Sequence, residues 1–276
     1  MQLETSITHI KSKLLASPRL LKWMGSAFAI LIVFFLVRGR TTSNDMGNSY
    51  IIGQDERWTT IDVMNKEREL AAFNIELLTA IAQEEKMRLT LKPTAGNLLQ
   101  GRLLNHELDG ITSNLEPTMM NQITYLFSEP YFPTGPVLII SAKEKLKGWN
   151  ENADKIVAVQ AKSPAILNLE QDPTIRIRLY DNILRALADL DDQKIDGAVF
   201  PALPAYVYTN TFYEGKLKVA TAPLNNEGLR LVTLKNEKGE ELIKSFNQGL
   251  QKIKENGIYQ DLLTEWGFIN FEKIDN

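Results

Sequence analysis

From Ser49 onward, short apolar runs alternate with stretches whose apolar residues recur at helical spacing. Tyr50–Gly53 reads as a strand, and Ile75, Leu77, Leu78 and Ile81 mark one face of a helix with Asn74 at its N-cap. Arg88–Lys92 alternates as a strand, and Leu98, Leu99, Leu103 and Leu104 predict a second helix. Val137–Ser141 and Lys155–Gln160 read as buried strands, Ile183–Leu190 as a helix and Gly197–Phe200 as a strand. Two closing helices are predicted, about Glu240–Glu255 and Tyr259–Trp266, divided by a stop at Asn256-Gly257. Strand–helix alternation of this kind predicts an α/β protein whose sheets are covered by helices.

The pattern before Ser49 is different. Trp23–Val37 is apolar and uncharged, bracketed by Lys22 and Arg38. As a helix it would rise about 22 Å, short of the roughly 30 Å hydrocarbon core. Snorkelling Lys22 and Arg38, with Trp23 at the interface, bring a span within reach. A cleaved secretion signal is the rival reading, but the 22 residues before the run are long for one, and RGRTTSND after it lacks a small-x-small site. The expectation is therefore a cytoplasmic basic flank (1–22), a transmembrane signal-anchor (23–37) and a short polar tether (38–48), with the remainder outside the cytoplasmic membrane.

Charge follows the same division. The chain of 276 residues holds 31 Lys and Arg against 34 Asp and Glu; residues 1–40 take six of the bases and one acid, leaving 25 against 33 beyond them. An acidic globule without a basic cluster argues against nucleic acid as a partner. With no cysteine there is no disulfide, thiolate metal site, Cys nucleophile or lipid-anchor cysteine. The two histidines, His9 and His106, cannot form a His-rich metal site. No cofactor and no metal are expected.

An internal echo points to two related halves. Leu103-x4-Leu108-Asp109-Gly110-Ile111 recurs as Leu190-x4-Ile195-Asp196-Gly197-Ala198. In each, an amphipathic helix runs through Asp-Gly into a strand, the Asp capping or turning the backbone there.

Four segments, in order, resemble the extracytoplasmic solute-binding proteins of polar amino-acid ABC importers (solute-binding protein family 3). They are IIGQDERWTTIDVMNKERELAAFNIELLTAIA, LLQGRLLNHELDGITSNLEPTMMNQITYLFSEPYF, KIVAVQAKSPAILNLE and KSFNQGLQKIKENGIYQDLLTEWGF. The resemblance covers about Ser49 to Phe268. It implies a two-lobed type II periplasmic-binding fold, with lobe 1 from 49–138 and 222–268, lobe 2 from 139–221 and a tail at 269–276. Two crossing segments, near Ile139–Ala142 and Ala220–Leu224, would form the hinge, and lobe closure would bury the solute. The partners implied are a small polar, amino-acid-like solute and an ABC permease, with the protein a monomer.

The family's zwitterion clamp is altered. Its T-x-x-R arginine holds the ligand carboxylate by a bidentate guanidinium, but Thr118-Met119-Met120 leads here to Asn121. The second-lobe aspartate that balances the ammonium falls on Pro201, and an aromatic before the second lobe-1 helix on Gly96. Other cleft positions persist by resemblance: Asp55 in the opening loop, Trp58 as a stacking platform, Ser113 and Ser163 as polar anchors. Asn114 and Glu116 replace small hydroxyls, and Lys162 precedes Ser163. Each has a plainer alternative as a cap, turn or solvated side chain, and Phe127-Ser128-Glu129-Pro130-Tyr131 reads as a packing motif. The leading expectation is a membrane-tethered solute-binding protein rather than an enzyme. The alternative is a ligand-free or repurposed sensor or interaction domain of the same fold. A third reading, an enzyme, would draw its acid/base pair from Asp55, Glu116 and Lys162, without a recognisable catalytic spacing.

Overall fold

The computed structural model describes residues 48–58, 64–145, 154–161, 163, 165–170, 172–271 and 274. The expected anchor at 23–37 and Lys162 lie outside them. Among the described residues no helix is long and apolar enough to cross a membrane.

The chain enters through β1 (Ser49–Asp55), α1 (Glu67–Glu84), β2 (Arg88–Thr94), α2 (Gly96–Leu104) and β3 (Gly110–Ser113). It continues through α3 (Asn121–Thr124), β4 (Tyr125–Phe127) and β5 (Phe132–Pro133). β6 (Pro136–Ser141), β7 (Lys155–Gln160), α4 (Ala165–Leu169), β8 (Ile175–Tyr180), α5 (Ile183–Asp191), β9 (Gly197–Pro201), α6 (Ala202–Thr209) and β10 (Leu217–Val219) follow. The chain ends in β11 (Gly228–Leu234), α7 (Glu237–Glu255) and α8 (Ile258–Glu265). The first sheet has the order β2-β1-β3-β11-β4, with β5 also on β11; the second has β10-β6-β9-β7-β8. These two sheets with their helices are the two lobes of a mixed α/β fold.

The helical pattern begins earlier than its apolar spacing predicts. α1 starts at Glu67, so Asn74 lies fully buried inside the helix and is not its N-cap. Leu70, Phe73, Leu77, Leu78 and Ile81 make the buried face, while Ile75 points outward. Phe73 carries the difference: its ring packs against Phe132, Tyr259 and Phe268, which fixes the helix rotation. In α2 only Leu99 and Leu103 are buried, and Leu98 and Leu104 are exposed. α7 follows the capping rules closely: the Asn236 side chain accepts the Gly239 N–H at 2.8 Å, with acids in the first turn and lysines in the last. Gly257 then takes φ +89° to separate α7 from α8.

The repeated Asp-Gly corner is one structural device used twice. Asp109 Oδ2 accepts the Ile51 N–H at 2.8 Å, and the Asp109 N–H donates to Ile51 O at 2.8 Å. Asp196 does the same with Ile156, at 2.8 Å in both directions. Each aspartate thus clips the strand it precedes to a parallel neighbour, β3 to β1 in lobe 1 and β9 to β7 in lobe 2.

The crossing differs from the expected boundary. Residues 138 and 139 both lie in β6, where Leu138 pairs with Val199 and Ile139 with Ala198 in the second sheet. The buried apolar run Pro136–Ile140 is satisfied only between β9 and β10, so the chain changes lobe at 134–135. There the Thr134 N–H donates to Glu227 O at 3.0 Å, and the Leu224 N–H to Pro136 O at 2.7 Å. The two crossing segments therefore hydrogen-bond to each other. A third link runs at the C-terminus: Phe268 belongs to the lobe-1 core and Phe271 to the lobe-2 core, edge-on to Tyr206.

Asp196→Ala leaves the Ile156 N–H without its side-chain acceptor, so it should destabilise the full chain by about 1–3 kcal/mol in chemical denaturation. Asp196→Asn, which keeps an acceptor oxygen, should lose less. Equal losses for the two variants would mean that charge, and not the amide contact, is what counts.

Candidate functional site

Each sheet opens a cavity at the carboxyl ends of its strands, where open α/β sheets bind ligands. In lobe 1, β1 ends at Asp55 and β3 at Ser113, and both border a cavity of about 100 Å³ with Trp58, Gly96, Gln100 and Asn114. In lobe 2, β7 ends at Gln160 and β9 at Pro201, and Asp181 follows β8. They border a cavity of about 340 Å³ with Asn182, Pro204 and Tyr208. The two cavities share no lining residue.

Asp55 is 5 % exposed. Its Oδ1 accepts the Arg57 N–H at 3.0 Å, and it forms no ion pair among the described residues. Gly96 makes room for it: a Cβ there would collide with Asp55 Oδ2. The missing aromatic at this position thus has a steric reason. Trp58 borders the cavity but is only 2 % exposed and belongs to the lobe-1 core, with its Nε1 buried and unpartnered and its backbone at φ +52°.

The remaining expected residues divide. Ser113 and Asn114 line the lobe-1 cavity, and Ser113 Oγ also accepts the Leu115 N–H at 3.1 Å. Glu116 lies on the loop beyond it and Asn121 opens α3, both outside the lining. The Asn121 amide donates to Glu116 O at 2.8 Å and closes that loop, whose Met119 and Met120 are 89 % and 76 % exposed. Ser163 Oγ accepts the Ala165 N–H at 3.3 Å, as a cap for α4, and Ser163 is in neither lining. Sequence reasoning missed Gln160, Asp181 and Tyr208. The signal for the first two was available: each stands at or just after the carboxyl end of a strand beside Pro201.

One buried cation adjoins the site. Arg230 on β11 pairs in register with Ser113 and is 4 % exposed. Its guanidinium donates to Ser128 O at 2.8 Å and to Asn226 O. Burial lowers its pKa from the usual arginine range, and the nearby Glu129 and Glu116 carboxylates oppose that shift. With both printed bonds to main-chain carbonyls, Arg230 staples the strand ends next to the lobe crossing.

Residues 50–269 match the profile of the bacterial extracellular solute-binding proteins, family 3. The "Arginine-binding periplasmic protein" of Mannheimia haemolytica is 26 % identical over 226 residues, covering 78 % of this chain and 90 % of that relative. The "Probable amino-acid-binding protein YxeM" of Bacillus subtilis is 24 % identical over 253 residues, covering 87 % and 93 %. In fold, the chain is similar to the L-cystine solute receptor of Neisseria gonorrhoeae in its unliganded open conformation. The TM-score is 0.61 at 16 % identity, over 79 % of this chain and 92 % of that one.

Gly96→Ala drives a methyl group into the Asp55 carboxylate. The substitution should destabilise the full chain by about 1–3 kcal/mol in thermal or chemical denaturation. An unchanged midpoint would mean that the Asp55 carboxylate can turn away freely.

Proposed function

The chain belongs to family 3 of the bacterial extracellular solute-binding proteins, and on that premise we propose that it captures a small polar, amino-acid-like solute between its lobes for delivery to an ABC permease. The observation that carries this reading is the pair of separate cavities at the strand carboxyl ends of the two lobes. Hinge motion about 134–135 and 220–227 would bring them together around the solute. Asp55, Ser113 and Asn114 are the lobe-1 contacts of this proposal, with Trp58 as the wall behind them. Glu116, Asn121 and Ser163 act beside the ligand by shaping the loops, and Lys162, next to Ser163 in sequence, is kept as a candidate ligand contact. The run 23–37 tethers the protein to the cytoplasmic membrane, with the two lobes outside it.

Two relatives are named for arginine and amino-acid binding, which supports an amino-acid-like solute. The altered clamp supports a second reading, a sensor or interaction domain of the same fold that binds no small solute. Its motive is specific: the Asn121 amide is engaged within its own loop and Pro201 carries no charge.

Thermal-shift and calorimetric titration of the full chain with amino acids, short peptides and polyamines separates the two. A saturable shift, with a smaller radius of gyration in X-ray scattering on ligand addition, is expected. No shift and unchanged scattering across the whole panel would favour the sensor reading.

A further inference from the structure

The two cavities carry one sign of charge. Asp55 borders the first and Asp181 the second, and no Lys or Arg lines either among the described residues. Neither carboxylate forms an ion pair with a described residue, although the rest of the surface pairs acids and lysines readily. Asp55 is buried, with its Oδ1 accepting the Arg57 N–H. A free carboxylate on the solute would meet no Lys or Arg among the described lining residues of either cavity.

The position of the second acid matters as much as its sign. In the strand order β9-β7-β8, Pro201 ends β9, Gln160 ends β7 and Asp181 follows β8. Asp181 therefore stands two strand spacings, about 10 Å, from Pro201, the position at which the family resemblance implies an acid. An α-ammonium adjoins its own carboxylate on one carbon and does not span such an offset. A cation at the far end of a flexible chain does. Pro201 and Pro204 make an apolar stretch of wall in this cavity, suited to methylenes, while Gln160 and Tyr208 add an amide oxygen and an aromatic ring.

Resting on the solute-binding reading above, we propose that the solute is an organic dication of the linear diamine type, with one ammonium on Asp55 and the other on Asp181. Methylenes would lie against the proline-lined wall, and a free α-carboxylate is not required. The specificity-determining residue is Asp181, which takes over from Pro201 and sets a longer charge separation.

The test is calorimetric titration of the purified full chain in detergent with 1,4-diaminobutane and 1,5-diaminopentane, against 1,4-butanediol, L-arginine, L-glutamine and L-glutamate. The diamines should bind and the diol should not. Asp181→Asn should weaken diamine binding about tenfold or more, the loss expected of a charge-assisted hydrogen bond. Asp181→Glu should restore part of it, and both variants should keep the parent thermal midpoint because Asp181 is exposed. Unchanged diamine affinity in Asp181→Asn, or diamines binding no better than the diol, overturns the dication proposal. Binding of L-glutamine or L-glutamate without diamine binding overturns it too while leaving the solute-binding reading intact. Silence across every compound sinks both.

Discussion

A carboxylate that accepts the amide of a neighbouring strand holds each lobe in register. Asp109 ties β3 to β1 through Ile51, and Asp196 ties β9 to β7 through Ile156, with matching 2.8 Å contacts. The ties lie just before β3 in lobe 1 and just before β9 in lobe 2. They set which residues of the paired strands end side by side, and so bring Asp55 to the same cavity as Ser113, and Gln160 to the same cavity as Pro201. Lysines support the carboxylates from different places, Lys238 of α7 in lobe 1 and Lys155 of β7 in lobe 2. The amide contact is shared between the lobes; the source of the cation is not.

Electrostatics then separates this cleft from a zwitterion clamp. Arg230, the buried guanidinium near Ser113, is engaged with main-chain carbonyls at the strand ends beside the lobe crossing. Asn121 is engaged within its own loop. What faces the lobe-1 cavity is Asp55, seated over Gly96, where any side chain would collide with it. A buried carboxylate with no ion pair among the described residues suits a cationic ligand group better than an anionic one. The exposed Met119 and Met120 beside Asn121 have no account in these terms.

Much of the architecture was legible in local pattern. The strands at Lys155–Gln160 and Gly197–Pro201 and the helix from Ile183 follow apolar runs and caps almost to the residue. The Asp-Gly echo marks both corners by residue type and spacing alone. Other elements were misread for local reasons. The N-cap assigned to Asn74 failed because an asparagine before an apolar face resembles a cap, while the aromatic neighbours of Phe73 lie far along the chain. The lobe boundary was placed inside β6 because a buried apolar strand has the same pattern in either sheet.

The sequence by itself determined the α/β alternation, the two related halves, the family and the loss of charge at Asn121 and Pro201, all of which rest on residue type and local spacing. Only the tertiary structure decided that Gly96 lies beneath Asp55, that Asp181 shares a cavity with Pro201, and that Ser163 and Asn121 use their polar groups on their own backbone. The reason is physical. Parallel pairing joins strand ends that are separated in sequence by whole helices, and no periodicity within one segment records which ends will meet.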